Sequence, residues 1–283
     1  MTQSAVVLAG GGVAGIAWEI GVLRGLQEAE PDACRRILSD DTLLVGTSAG
    51  SAVAAQVASG AALEGLFGSQ VSEESAELFV HIDLAEFGAM IADALAGSTS
   101  PEEARRRLGV IARDAETVPA ATRLAIIAAR LPSQSWPDRP LLITAVDTAT
   151  GELRVFDRDS GVDLVDAVAA SCAVPGVWPT VEIDGRHYMD GGMRTIANAD
   201  LAAGSGQVLI LVPGPESSPA GPTISAAELD TLAPARIHTV FADADAIAAF
   251  GPNPLDPGVR RASALAGRDL GRRLAPEIVR FWR

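Results

Sequence analysis

A chain of 283 residues with 36 acidic side chains against 22 basic ones, all of the latter arginine, carries a formal charge of −14. So acidic a surface repels nucleic acid and strongly anionic membranes at long range, which excludes polyanion binding as the general function. Its 48 % hydrophobic content, with only 4 % aromatic residues, excludes a disordered chain and calls for a large core of Ala, Val, Leu and Ile, either one large α/β domain or two modest ones. A neutral or zwitterionic lipid surface stays compatible with this charge, because salt confines the repulsion to roughly 8–10 Å. Cys34 and Cys172 are too few for a disulfide framework or a metal cluster and read as buried free thiols. The N-terminus shows no basic leader ahead of an apolar run, and no segment approaches the roughly 20 apolar residues that span a bilayer. The expected location is cytoplasmic, with peripheral attachment to a membrane and homo-oligomerisation left open.

In chain order, residues 4–9 form a short apolar run suited to a buried strand, which ends in Gly10-Gly11-Gly12-Val13-Ala14-Gly15. Apolar residues at Ile16, Ile20, Leu23 and Leu26 predict a helix over 16–30, closed by Pro31. Leu43, Leu44 and Val45 predict a second buried strand, which turns sharply through Gly46-Thr47-Ser48-Ala49-Gly50 into an alanine-rich helix over 49–59. Strand, glycine loop, helix, strand, sharp turn and helix make a parallel βαβ unit with both loops at the carboxyl ends of strands.

Strand signals are scarce from 60 to 136, where helices are expected at 84–95, 101–114 and 120–130 as a cap or side layer. The sheet resumes at 140–146, with an antiparallel partner at 152–156 and a helix over 162–171 leading into Ala173-Val174-Pro175-Gly176. Strands at 181–183 and 186–189 flank Asp184-Gly185, a hairpin signal, and the second arm delivers Asp190-Gly191-Gly192. One more buried strand is expected at 207–212, then a loop or hinge over 213–222 and helices to the C-terminus, His238 falling in a helix-like stretch.

Gly-x-Ser-x-Gly between a strand and a helix is the nucleophile-elbow arrangement, with the serine hydroxyl at the tip of a tight turn. Such a serine needs a base for its proton and donors for an oxyanion. Gly10, Gly11 and Gly12 offer backbone N–H groups at the start of a helix whose dipole favours negative charge. Gly10, Gly12 and Gly15 also match the dinucleotide pattern G-x-G-x-x-G, but that reading wants a carboxylate at the end of the second strand, where this chain has Gly46-Thr47-Ser48. Two sources of base remain. Ser48, Asp190 and His238 follow the nucleophile–acid–histidine order of α/β-hydrolases, whereas Asp190 alone serves if it touches the serine in a dry site that raises its proton affinity.

The glycine loop, the Gly46-Thr47-Ser48-Ala49-Gly50 turn and the run from Ala169-Ala170-Ser171-Cys172 to Asp190-Gly191-Gly192 together resemble the patatin-like phospholipase family over residues 4–203. The resemblance implies a three-layer α/β/α fold with a central, mainly parallel sheet. It implies a Ser48–Asp190 dyad without histidine, an oxyanion hole at Gly10, Gly11 and Gly12, and hydrolysis of lipid acyl esters. On this reading residues 4–203 are the acyl-hydrolase domain, with a helical cap or side layer at about 60–136, and 204–283 add a final strand and a helical extension on the same domain. The chain departs from the family at Ala14, where many members carry an arginine, which puts a phosphate-bearing substrate in question. The expected function is therefore a serine acyl hydrolase acting on a lipid or small acyl ester, without metal or other cofactor. The competing reading is a lipid- or acyl-binding protein with little turnover.

Overall fold

The computed structural model describes residues 4–218 and 221–283; Met1 to Gln3 of the expected leaderless N-terminus, and Pro219 and Ala220 of the expected 213–222 loop, lie outside the described residues. Strand β1 (Ser4–Leu8) ends in the glycine loop, from which α1 (Gly12–Ala29) departs. Pro31 does more than close that helix. It opens a second one, α2 (Pro31–Ile37), at the first-turn position where a missing N–H costs nothing. Strand β2 (Leu43–Thr47) turns through Ser48 into α3 (Ala49–Ala58).

A helical stretch follows, with α4 (Leu63–Val71), α5 (Leu84–Ala96), α6 (Pro101–Asp114) and α7 (Ala120–Arg130). Helix α4 lies beyond the expected three. The Asp83 and Ser100 side chains accept from the first-turn amides of α5 and α6, which fixes where those helices begin. Next come β3 (Leu141–Asp147), β4 (Leu153–Phe156), α8 (Leu164–Ser171), β5 (Val181–Ile183) and β6 (Arg186–Asp190). The β5–β6 turn has positive φ at both Asp184 (53°) and Gly185 (73°), as a two-residue hairpin requires. The chain continues through β7 (Gln207–Val212), a small ribbon of β8 (Ser217–Ser218) and β9 (Gly221–Pro222), and α9 (Ala226–Asp230). It finishes with β10 (Arg236–Phe241), α10 (Ala244–Phe250) and α11 (Arg260–Phe281).

Strand β10 corrects the expectation of helices alone after residue 222. It lies parallel to β7 and covers an edge that would otherwise leave a row of unpaired backbone groups. The main sheet runs β10-β7-β1-β2-β3 in parallel, and β4 and β6 join β3 antiparallel. Both faces are buried. Val6, Leu8, Leu44, Leu209 and Leu211 pack toward α1 and α3, while Val7, Val45, Val208 and Ile210 pack toward Ala199, Ile224 and Leu232 on the opposite side. This strict two-residue alternation between two cores gives the three-layer α/β/α fold. Helix α11 lies tightly along α1: a Cβ on Gly25 would fall 2.1 Å from the Arg268 carbonyl oxygen, and one on Gly271 2.2 Å from that of Val22. Among the described residues, no helix is long and apolar enough to cross a membrane.

Candidate active site

The register of β3 sets the site. Ile143 and Thr144 pair with both β2 and β4, so those two strands flank β3 on opposite edges. Ala145 and Val146 pair with both β4 and β6, which puts β6 on the edge that β2 occupies, one step further along. Thr47 at the end of β2 is opposite Thr144, and Asp190 at the end of β6 is opposite Ala145. The two carboxyl ends therefore meet head-on, and residues separated by 142 positions become neighbours. The Ser48 hydroxyl donates a 2.6 Å hydrogen bond to Asp190 Oδ2.

Each partner is fixed from behind. Ser48 holds φ 53° and ψ −116°, a strained conformation for any residue with a Cβ, of the kind found at functional sites and costing about 1–3 kcal/mol. Its amide donates to Ser171 Oγ at 2.8 Å, and its carbonyl accepts from Ser51 Oγ at 2.6 Å and from the Cys172 thiol at 3.2 Å. The Ala173 carbonyl accepts from the Asp190 amide. The run from Ser171 to Ala173 thus clamps both members of the pair, which gives that sequence signal a mechanical meaning. Burial raises the Cys172 thiol's pKa and leaves it un-ionised, so it acts as a bolt rather than a nucleophile.

Asp190 Oδ1 accepts the Gly192 amide at 2.7 Å, which aims Oδ2 at the serine. Burial pushes the Asp190 pKa up to about 6, against the opposing pull of the Ser48 hydroxyl, the Gly192 amide and the positive charge of Arg123. Sequence reasoning missed Asn198. It is fully buried, with a left-handed backbone (φ 48°), and its Nδ2 donates to Thr47 Oγ1, to the Gly191 carbonyl and to the Thr195 carbonyl. It ties the end of β2 to the turn after β6. A lone asparagine in a turn-rich stretch gives no hint that its partners come from three segments.

The glycine loop lies alongside, joined to the elbow by a 3.0 Å hydrogen bond from the Gly50 amide to the Ala9 carbonyl. The three glycines are not equivalent. The Gly10 amide donates to the Ile196 carbonyl at 2.8 Å, which corrects its expected place among the oxyanion donors. Gly11 caps α1 and Gly12 begins it, while Ala49 begins α3. Amides at these positions have no acceptor within their own helices, and both helix dipoles favour negative charge where they converge.

The expected histidine alternative fails on distance. His238 is on β10, in register with Leu209, then Val6, then Leu44. That is three strands across and four residues down from Ser48, roughly 20 Å from the site by strand spacing. His238 instead stacks on Phe281 and faces Glu277 at 3.9 Å; burial lowers its pKa and Glu277 partly opposes this. A His238→Ala variant should keep its ester hydrolysis within about twofold of wild type and lose about 1 kcal/mol of stability at the end of α11, read by steady-state assay and thermal melting. Among the described residues, no His, Cys, Asp and Glu group could hold a metal ion.

A small, partly open cavity of about 20 Å³ adjoins Ser48, lined by Gly12, Ala49, Arg123, Trp178 and Leu255 among others. It has room for about one water molecule and none for an acyl chain.

Two solved structures are similar to the chain across 98 % of its length. VipD from Legionella pneumophila is 13 % identical with a TM-score of 0.43, over 67 % of that chain; the type III effector protein ExoU is 17 % identical with a TM-score of 0.44, over 54 % of that chain. This chain thus spans between about half and two thirds of those proteins. No curated protein matches it in a sequence comparison. The family profile described as patatin-like phospholipase matches residues 6–203.

Proposed function

Because the chain belongs to the patatin-like phospholipase family, we propose that it hydrolyses lipid acyl esters, with Ser48 as nucleophile and Asp190 as its base. The observation that carries this reading is the 2.6 Å hydrogen bond from the Ser48 hydroxyl to Asp190, under two converging helix N-termini. As Ser48 Oγ attacks the acyl carbon, its proton passes to Asp190 Oδ2, and the carbonyl oxygen becomes an oxyanion held by the amides of Gly11, Gly12 and Ala49. The leaving alcohol takes the proton from Asp190 and an acyl-serine remains. Water then gives its proton to the same carboxylate and attacks the acyl carbon; the bond from that carbon to Ser48 Oγ breaks, Asp190 returns the proton to Ser48 Oγ, and the acid is released. A carboxylate can do a histidine's work here because burial has moved its pKa toward the working range.

On this reading residues 4–203 form the hydrolase domain, with 60–136 as its cap. Residues 204–283 complete the sheet and lock α1 in place. The space that Arg123, Trp178 and Leu255 line beside Ser48, about 20 Å³, is smaller than an acyl chain, so on this reading the residues around it shift when substrate enters. A zwitterionic or neutral lipid surface, met transiently, suits a chain of charge −14.

The test is covalent labelling with an alkyl fluorophosphonate, in which Ser48 Oγ bonds to phosphorus and fluoride leaves. One label per chain, mapped to the peptide containing Ser48, is expected. Asp190 must be ionised to accept the proton, so the labelling rate should rise about tenfold per pH unit below pH 6 and level off above it. A folded protein that stays unlabelled from pH 5 to 9 would favour the binding-only alternative.

A further inference from the structure

Arg123 projects from α7 into the cavity above Ser48 and is 4 % exposed, with its guanidinium carbon 3.7 Å from the centre of the Trp178 ring. Its Nε and Nη1 are buried with no hydrogen-bond partner among the described residues. Arg130, two turns along the same helix, also lines the cavity, but Glu77 accepts two hydrogen bonds from it, of 2.6 and 2.7 Å. Glu77 is thereby committed to Arg130, as Asp190 is to Ser48 and Gly192. Burial, with the repulsion of Arg130, draws the Arg123 pKa down to about 9, so the group is still protonated at neutral pH. A buried guanidinium that lacks hydrogen-bond partners is costly. The cost is offset if a ligand supplies the acceptors.

We propose that Arg123 is a specificity-determining residue: it receives an oxyacid anion of the substrate, a phosphodiester or a carboxylate, carried a few bonds from the ester that Ser48 attacks. The proposal rests on the hydrolase reading above and names the substrate class that reading leaves open. The developing oxyanion already has main-chain donors in Gly11, Gly12 and Ala49, so the guanidinium is surplus to that task. Trp178 covers one face of the guanidinium plane and holds it by cation–π attraction, which leaves the in-plane N–H groups to meet oxygens. At a guanidinium as buried as this one a charge-assisted pair is strong, and a neutral ester leaves those donors unpaired.

The experiment compares three soluble esters of matched acyl length: dihexanoylphosphatidylcholine, dihexanoylglycerol and a monoester of hexanedioic acid. The wild-type protein, Arg123→Gln and Arg123→Lys are each assayed for kcat and KM. Wild type should prefer at least one anion-bearing ester over the neutral one by about 10–100-fold in kcat/KM. Arg123→Gln should erase that preference, mainly through KM, and Arg123→Lys should retain part of it. Preference for the phosphodiester alone identifies a phospholipid headgroup, and preference for both anionic esters identifies a general oxyacid site. Equal kcat/KM on all three, or a preference that survives Arg123→Gln, overturns the proposal. So does an Arg123→Gln protein that keeps the preference while its acid limb moves up, since Arg123 would then act only on the Asp190 charge. Equilibrium binding of the same esters to Ser48→Ala separates the two claims. If wild type shows no turnover, the hydrolase reading fails, while the affinity ratio between phosphodiester and neutral ester, with and without Arg123→Gln, still decides the arginine's role.

Discussion

Ser48→Ala and Asp190→Asn should each reduce hydrolysis of a short-chain p-nitrophenyl ester by roughly 10³-fold or more, with the fold intact. The serine variant removes the atom that, on the proposed mechanism, forms the acyl-enzyme. The asparagine variant keeps the size of Asp190 and its Gly192 contact but leaves no group to take the proton. The two losses should not multiply in the double variant, because both residues act on one step and either loss alone disables it. Stability should move the other way. Asp190 is buried at a cost that pushes its pKa up, and Ser48 holds a backbone conformation that a residue with a Cβ resists. Ser48→Gly should therefore raise stability by about 1 kcal/mol while abolishing turnover, since glycine tolerates positive φ. Urea unfolding of the three variants beside steady-state kinetics reads both quantities. Wild-type rates in Asp190→Asn would remove the carboxylate from the mechanism.

Gly50→Val should be the most destructive single change outside the reacting pair, costing more than about 3 kcal/mol of stability. A Cβ at Gly50 would lie 2.0 Å from the Leu8 carbonyl oxygen and 2.3 Å from its carbon, both backbone atoms. Leu8 cannot retreat, because β1 is held between β2 and β7 with Leu8 in register with Gly46 and Leu211. The only relief is to lift α3 off the sheet, which would break the hydrogen bond from the Gly50 amide to Ala9 and open the elbow. Gly65→Ala is the internal control. It is an exposed site in α4 with nothing within 4 Å of the added carbon, and alanine there should stabilise the protein by about 0.5–1 kcal/mol. Equal unfolding midpoints for Gly50→Val and wild type in urea would mean that this close approach does not hold the elbow.

The amino-acid sequence by itself determined the local parts of this protein. Short apolar runs marked the strands at 43–45 and 207–212, Asp184-Gly185 marked the hairpin, and the glycines around Ser48 marked the sharp turn. These features depend on neighbours a few residues away, so periodicity and turn chemistry reveal them. The tertiary structure alone decided the rest. The edge of β3 that received β6 put Asp190 within reach of Ser48, and the Ile196 carbonyl took up the Gly10 amide that was expected to serve an oxyanion. Pairing with β7 made residues 236–241 a strand, and the packing of α7 over the site left Arg123 buried without hydrogen-bond partners. Strand pairing, the commitment of a backbone amide and the desolvation of a charge are properties of what lies across the fold. No window along the chain contains that information, because the partner atoms are as far away as Ile196 is from Gly10, 186 residues along the chain.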